Sequence, residues 1–171
     1  MAYRTAVVVL SDSRSAGERE DHVIPTCAES LKAPVFEVVD SRVIPDDREG
    51  IVAALRELAA REDVDLIITS GGTGLGPRDN TPEATRAVIE REAPGFAELL
   101  RLRGLTHTPK AMLTRGVAGI AGTTLIINLP GSPRAVREGL DVLLPILPHA
   151  LDTLRGQGAE CARPPETSEG K

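Results

Sequence analysis

The sequence predicts an α/β fold, a three-layer α/β/α sandwich with a mostly parallel central sheet. Short runs of β-branched and aliphatic residues alternate with longer helical patterns, and several of the runs, such as 6–10, are continuously apolar. Such strands are typical of sheets covered by helices on both faces. The 171 residues, 41% of them hydrophobic, predict one domain over residues 1–155. Residues 156–171, rich in proline and in small or charged residues, predict a flexible tail.

The strands are predicted at apolar runs rich in Val, Ile and Leu, because β-branched residues fit the pleated surface of a buried strand. The runs are 6–10, 35–44, 66–69 and 124–128, with 117–120 beside the last. Ligands of parallel α/β sheets bind beyond the carboxyl ends of the strands. The segments that follow these runs therefore form the candidate site.

Helices are predicted between the strands from apolar residues that recur at helical spacing. They cover 48–62, 82–92, 96–103 and 132–154. In the first, Ile51, Leu55 and Leu58 lie on one face, which predicts an amphipathic helix packed against the sheet. Pro145 interrupts the last pattern, so we expect two helices that meet there.

Three of these helix starts carry capping signals. Thr81 is a suitable N-cap with Pro82 at the first helical position, and Ser132 also precedes a proline. Asp46 lies three residues before Glu49, a spacing like that of a capping box. From the pattern alone, capping is sufficient to explain both Asp46 and Ser132 without a ligand.

A glycine-rich segment follows the 66–69 run and is the most informative part of the chain. Its glycines are Gly71, Gly72, Gly74 and Gly76. Glycine permits positive φ and close approach of a ligand, so several backbone N–H groups can converge on an anion. Arg78 suits a bidentate phosphate contact, and Asp79 suits a divalent metal. The two common nucleotide fingerprints, with a P-loop lysine or a G-x-G-x-x-G spacing, are absent.

Three other polar segments follow predicted strands, at 11–17, 45–47 and 128–133. In a parallel sheet these segments and the glycine loop converge on one edge. Each also has an interpretation without function. Residues 11–14 could be a plain turn and the polar run through Asp21 a solvated loop. Asp79 could simply pair with Arg78 or another arginine.

Composition excludes several classes of partner. Aromatic residues make up 2% of the chain and the net charge is −5, which disfavours nucleic acid but not a small phosphate compound. Cys27 and Cys161 are far apart and have no metal-ligand spacing, so we expect ordinary thiols. The first apolar run is too short for a membrane span or a signal peptide, so a cytoplasmic protein without a membrane partner is expected.

Five motifs, in order from about residue 5 to about residue 154, resemble the molybdopterin adenylyltransferases, a family that includes the G domain of gephyrin. They are SGGTG at 70–74, PRDNTPEAT at 77–85, TPKAMLTR at 108–115, AGI at 118–120 and LIINLPGSP at 125–133. Two positions depart from some relatives, which have Asn where this chain has Ser132 and Ser where it has Thr114. These departures affect details of ligand contact rather than the reaction class.

The resemblance implies a homotrimeric nucleotidyltransferase of molybdenum cofactor biosynthesis. Molybdopterin and Mg-ATP would give adenylyl-molybdopterin and pyrophosphate, and contact with a molybdenum insertase is an associated expectation. Asp46 and Asp79 match the two acidic positions linked to catalysis, and we expect both to hold Mg²⁺. The remaining candidate substrate and nucleotide contacts are Ser11, Asp12, Ser13, Gly71, Gly72, Thr73, Gly74, Arg78, Thr81, Asn128, Pro130, Gly131 and Ser132.

Other members of this fold are alternatives. A non-catalytic trimeric molybdopterin-binding or scaffold protein would keep the fold and lack turnover. The molybdenum insertase module lacks the Arg-Asp-Asn-Thr-Pro-Glu-Ala sequence found here at 78–84. The competence-damage-inducible type of domain tends to have Thr-Asp-Asp where this chain has Arg78 and Asp79. The intact motifs favour the adenylyltransferase.

Overall fold

A computed structural model describes residues 2–157 of the chain, in which six strands form one sheet in the order β2-β1-β3-β6-β5-β4. Their bounds are β1 (Tyr3–Leu10), β2 (Phe36–Ile44), β3 (Leu66–Ser70), β4 (Arg91–Glu92), β5 (Ala118–Ala121) and β6 (Thr124–Leu129). The four strands β2, β1, β3 and β6 are parallel, whereas β5 and β4 pair antiparallel at one edge. The mostly parallel sheet is as predicted.

The described residues also contain seven α-helices and one 3₁₀ helix. They are α1 (Asp12–Ser15), α2 (Val23–Ser30), α3 (Arg48–Ala59), α4 (Thr81–Arg86), α5 (Pro94–Gly104), the 3₁₀ helix Pro109–Leu113, α6 (Pro133–Leu143) and α7 (Leu147–Leu154). The predicted division near Pro145 is confirmed, because α6 ends just before it and α7 begins just after it. None of the helices in residues 2–157 is long and apolar enough to cross a membrane.

Helices cover both faces of the sheet, and each face has its own apolar core. Leu66 and Ile68 of β3 pack with α2, α6 and α7, whereas Ile67 packs with α3 on the opposite face. Side chains of a strand alternate between faces, so one apolar strand supplies both cores. This arrangement confirms the three-layer α/β/α sandwich.

The predicted helix 82–92 is wrong in its second half. The helix α4 ends at Arg86, and the chain then extends to form β4 beside β5. The backbone N–H of Glu90 donates to Ile120 O at 2.8 Å, and that of Ala93 donates to Ala118 O at 2.8 Å. Pairing along the otherwise open edge of β5 outweighs the local helical pattern.

The helix α2 begins just after the polar run that ends at Asp21, in a segment where the sequence analysis predicts no helix. Val23 and Cys27, four residues apart on one helical face, are fully buried against the sheet. The Asp21 carboxylate accepts hydrogen bonds from Val23 N at 3.1 Å and Ile24 N at 2.9 Å, which satisfies N–H groups at the helix start. Burial raises the pKa of the Cys27 thiol to about 12, so it is an unreactive thiol. Cys161 lies outside the described residues, as does the predicted tail beyond residue 157.

Two predicted N-caps are displaced by one residue. Asp47, not Asp46, caps α3, since its Oδ2 accepts a hydrogen bond from Gly50 N at 2.8 Å. Asn80, not Thr81, is the N-cap of α4. Asp46 instead accepts a hydrogen bond from Asp12 of another loop, and the Thr81 hydroxyl donates to Gly71 O at the start of the glycine loop. The Ser132 cap is confirmed by a 3.2 Å hydrogen bond from Ala135 N.

We expect Asp47→Ala to lower the free energy of unfolding by about 1 kcal/mol, because it leaves a backbone N–H of α3 without its cap. Chemical denaturation measures the difference. Glu49→Ala is the matched control, since it removes the same charge from the first turn of the same helix without removing the cap. Equal losses in the two variants would contradict the assignment of the cap to Asp47.

Candidate functional site

The carboxyl ends of β1, β2, β3 and β6 bring four loops together, as predicted. The backbone N–H of Gly71 donates to Leu129 O at 3.1 Å, and the Ser70 hydroxyl donates to Pro130 O at 2.8 Å. Thus the loops after β3 and β6 are in direct contact. Gly131 lies so close to Gly71 that a Cβ at position 131 would be 3.3 Å from the Gly71 Cα.

Asp12 and Asp46 join the loops after β1 and β2 by reciprocal hydrogen bonds. The backbone N–H of Asp12 donates to Asp46 Oδ2 at 3.1 Å, and that of Asp46 donates to Asp12 Oδ1 at 3.0 Å. Arg78, from the glycine loop, forms an ion pair with Asp12 at 2.7 Å. The predicted alternative in which Arg78 pairs with Asp79 is therefore not what this structure contains.

Burial raises the pKa of the Asp46 carboxyl, and the negative charges of Asp12 and Asp79 raise it further, whereas the hydrogen bond from Asp12 N and the positive charge of Arg78 partly oppose them. A carboxyl with a raised folded pKa contributes stability below its unfolded pKa, and that contribution is lost as pH rises through the folded value. At neutral pH the ionised Asp46 is thus disfavoured by its surroundings. A cation placed there would relieve this cost.

Glycine is required at the start of the loop after β3. Gly71 and Gly72 have φ of +108° and +61°. A Cβ at position 71 would lie 2.3 Å from the carbonyl oxygen of Leu10, which is far inside van der Waals contact. The Thr81 hydroxyl donates to Gly71 O at 2.8 Å and its backbone N–H donates to Gly72 O at 3.1 Å. Thr81 therefore holds the start of the glycine loop by hydrogen bonds instead of capping the helix.

Asp79 closes the far end of the glycine loop. Its backbone N–H donates to Gly76 O at 3.0 Å, and its Oδ2 accepts from Gly76 N at 2.7 Å. A Cβ at Gly74 or Gly76 would lie 2.9 or 2.8 Å from this same oxygen, so the loop wraps tightly around the carboxylate. Asp79 Oδ1 accepts no hydrogen bond from the described residues and remains available to a ligand.

The glycine loop presents backbone N–H groups that the rest of the fold does not use. None of the residues 2–157 accepts a hydrogen bond from the N–H of Thr73, Gly74, Leu75 or Asn80. Such a set of free donors is the feature expected of an anion cradle.

Arg115 lies within the 108–115 motif, but sequence reasoning does not single it out as a site residue. Its backbone N–H donates to Thr73 O at 2.8 Å, its Nε donates to Gly74 O at 2.7 Å, and its Nη2 donates to Asp79 O at 2.5 Å. Its Nη1 forms an ion pair with Glu83 of α4. These partners are 32 to 42 positions away in the chain, so no local pattern could have identified them.

Arg14 is a second arginine that sequence reasoning does not assign. Its side chain is 5% exposed, its Nη2 donates to Gly131 O at 3.2 Å, and its Nε lies 3.8 Å from Asp21. It connects α1 to the loop after β6. At the start of α1, the Ser11 hydroxyl accepts a hydrogen bond from Arg14 N at 3.3 Å and lies 3.3 Å from the Ser13 hydroxyl.

The predicted ligand contact Asn128 is engaged within the protein. The side chain is buried, its Nδ2 donates to the hydroxyls of Thr69 and Thr85 at 2.9 Å each, and its Oδ1 accepts from Val117 N at 3.1 Å. These bonds tie β3, α4 and the start of β5 together. A contact between Asn128 and a ligand stays a prediction, whereas the structure contains these hydrogen bonds within the protein.

A cavity of about 320 Å³ adjoins the glycine loop. Its lining combines Thr73, Gly74 and Pro130 with apolar residues of α5, the 3₁₀ helix and α6. Arg101, Arg103 and Lys110 add positive charge to the lining, and Glu138 adds a negative charge. Apolar walls with a few polar groups are typical of a small-molecule site. Sequence reasoning identified only the loop residues of this lining, although residues of the 108–115 motif also contribute to it.

Two carboxylates are available for a metal, which is too few for a site made by protein alone. No group of three or more His, Cys, Asp or Glu residues in the described part of the chain could hold a metal ion. Mg²⁺ is usually held by one or two carboxylates together with substrate phosphates and water. Asp46 and Asp79 fit that kind of shared site, since both carboxylates lie against the glycine loop: a Cβ at Gly72 would be 3.2 Å from Asp46 Oδ1, and one at Gly74 would be 2.9 Å from Asp79 Oδ2.

Comparison with known proteins gives a consistent set of relatives. The family model described as "Probable molybdopterin binding domain" matches residues 6–149. The chain is 38% identical over 152 residues to the "Molybdopterin adenylyltransferase" of Helicobacter pylori strain J99, covering 88% of this chain and 86% of that protein. It is 45% identical over 113 residues to the "Molybdenum cofactor synthesis protein cinnamon" of Drosophila melanogaster, covering 66% of this chain but only 19% of the fly protein.

Solved structures have the same fold. The structure titled molybdopterin biosynthesis enzyme MoaB, from Thermus thermophilus, superposes with a TM-score of 0.85 and 51% identity, covering 90% of this chain and 97% of that one. A CinA protein from Thermoplasma acidophilum superposes with a TM-score of 0.63 at 20% identity, covering 84% of this chain and 97% of that one, which shows a shared fold alone.

Proposed function

The chain belongs to the family of probable molybdopterin-binding domains that includes the bacterial molybdopterin adenylyltransferases, and we propose that it is itself a molybdopterin adenylyltransferase of molybdenum cofactor biosynthesis. It would transfer AMP from Mg-ATP to the molybdopterin phosphate and release pyrophosphate. The observation that carries the proposal is that the carboxylates of Asp46 and Asp79 both lie against the glycine loop, whose free N–H groups are beside an apolar cavity.

The reaction poses a problem of charge rather than of proton transfer. The phosphate of the pterin is already an anion when it attacks the α-phosphorus of ATP, so it needs no strong general base. Two unit charges of the same sign about 4 Å apart repel by roughly 4 kcal/mol at an effective dielectric constant near 20. The site must therefore supply positive potential where the two phosphate groups meet.

The backbone supplies part of that potential. The free N–H groups of Thr73, Gly74 and Leu75 belong to one loop, whose shape depends on two glycines with positive φ and on the Thr81 hydroxyl. Donors that are already oriented lose little free energy to reorganisation when charge develops. This loop would accept the phosphates of ATP.

The carboxylates would contribute positive charge indirectly, by holding a metal ion. Asp46 and Asp79 would hold Mg²⁺ together with oxygens of ATP, and the ion, when bound, would neutralise phosphate charge. Without a cation, two carboxylates beside the phosphates would oppose the reaction. Arg78, which is exposed and paired with Asp12, is placed to exchange that partner for a phosphate.

The cavity is the candidate position of the pterin. Thr73 and Gly74 belong both to the cavity lining and to the loop, so a ring system in the cavity would have its phosphate near the free N–H groups. Lys110 and Arg103 would offer further contacts to an anionic ligand.

The loop after β1 would supply contacts at the opposite edge of the site, and the loop after β6 would supply contacts beside the glycine loop. These loops are joined by the hydrogen bond from Arg14 Nη2 to Gly131 O, so their polar groups keep a fixed relation to each other. The candidate contacts that they carry are Ser11, Asp12, Ser13, Pro130, Gly131 and Ser132.

Binding and turnover distinguish this enzyme from a non-catalytic carrier or scaffold of the same fold. We expect the purified protein to release pyrophosphate only when molybdopterin, ATP and Mg²⁺ are all present. Omission of any one should abolish release, because the phosphates meet only in the complete complex. A carrier would instead bind molybdopterin equally well with and without Mg-ATP and release no pyrophosphate, and that result would overturn the proposal.

We also propose, from the family resemblance, that the chain forms a homotrimer, contacts a molybdenum insertase and works in the cytoplasm. Residues 1–155 would form the single functional domain, in keeping with the family match over 6–149.

A further inference from the structure

We propose that Arg115 is a positioning residue that orients the anion-binding face of the glycine loop, an inference that rests on the proposed function. The guanidinium and backbone N–H of Arg115 bind the carbonyl oxygens of Thr73, Gly74 and Asp79, at both ends of the loop. Arg115 thus acts through the backbone of the loop.

Peptide geometry links these carbonyls to the free donors. In a planar trans peptide the C=O and the following N–H point in opposite directions. The carbonyls held by Arg115 belong to the same peptide units as the N–H groups of Gly74, Leu75 and Asn80. These three N–H groups are therefore directed away from Arg115, and none has an acceptor among the described residues.

Glu83 holds the guanidinium in place. It forms an ion pair with Arg115 Nη1, which leaves Nε and Nη2 to the loop carbonyls. Burial acts to raise the pKa of the Glu83 carboxyl, but the hydrogen bond from Arg115, together with the nearby positive charge, outweighs it and the pKa is lowered. The planar guanidinium offers donors in fixed directions, which a lysine ammonium cannot reproduce.

Arg115→Met tests the proposal, because it removes the guanidinium and keeps an unbranched side chain. Arg115→Lys is the conservative variant. Arg42→Met is the matched control, since Arg42 makes a comparable set of ion pairs with Asp40 and Glu57 away from the site. Hydrogen exchange is followed at the hydrogen-bonded amides of Gly76, Asp79 and Thr81, and steady-state kinetics give kcat and KM for Mg-ATP.

We expect Arg115→Met to accelerate exchange at these loop amides by about 10-fold or more, with β1 and α6 unchanged. The value of kcat/KM should fall by about 100-fold, because a small displacement of oriented groups is enough for such a loss. Arg115→Lys should lie between this variant and the wild type, and Arg42→Met should behave like the wild type.

Three results would overturn the proposal: unchanged exchange in the loop, accelerated exchange throughout the chain, or faster loop exchange with normal kcat/KM. If Arg115→Met does not fold, Arg115→Lys decides the same question. If the wild type forms no product, the proposed function fails, whereas the exchange measurement still decides whether Arg115 holds the loop.

Discussion

Asp79→Asn should reduce adenylyl transfer by about 100-fold or more, the scale of losing one preorganised electrostatic interaction in an active site. The substituted amide oxygen can still accept the hydrogen bond from Gly76 N, so the loop keeps its shape. What disappears is the negative charge that would hold Mg²⁺. The loss should therefore appear in kcat/KM and become smaller as the Mg²⁺ concentration is raised.

The matched control is Asp63→Asn, which removes an aspartate charge from an exposed ion pair with Arg61. This control should retain wild-type kcat/KM. Full adenylation by Asp79→Asn at ordinary Mg²⁺ concentration would show that Asp79 does not hold the metal.

Gly71→Ala should lower the free energy of unfolding by about 3 kcal/mol or more, since it combines a strained backbone with a steric clash. The φ of Gly71 is +108°, and the new methyl group would lie 2.3 Å from the carbonyl oxygen of Leu10. Strands β1 and β3 are neighbours in the sheet, so the clash cannot be relieved without separating them. Urea denaturation measures the change.

Gly17→Ala is the control that separates the cost of backbone strain from the cost of the steric clash in Gly71→Ala. Gly17 also has a positive φ, +75°, but a Cβ there would have no neighbour within 4 Å. This control should lose only about 1–2 kcal/mol, the cost of the left-handed backbone. Equal losses in the two variants would show that the contact with Leu10 is not what requires glycine.

The centre of the sheet could be predicted because the strands β1, β3 and β6 contain continuous apolar runs in the sequence. The runs at 6–10, 66–69 and 124–128 correspond to β1, β3 and β6, and their polar ends meet at one edge. The strand β4 could not be predicted, because the two residues Arg91–Glu92 are extended only through pairing with β5.

Site residues could be predicted where a local sequence motif marks them. They could not be predicted where they act through contacts with residues that are distant in the sequence. Glycines and acidic residues marked the loop. The tie from Arg115 to Thr73, by contrast, joins positions that only the fold brings together. The displaced caps have the same cause, since Asp46 bonds to Asp12 of another loop and Thr81 bonds to Gly71.

The most direct test of the proposed reaction follows the phosphorus atoms of ATP. Purified protein is incubated with molybdopterin, Mg²⁺ and ATP labelled either at the α-phosphorus or at the β- and γ-phosphorus atoms. We predict that the α label appears on the pterin and the other label appears as pyrophosphate, in equal amounts. Bound pterin without label, or hydrolysis of ATP that does not require the pterin, would contradict the assignment as an adenylyltransferase.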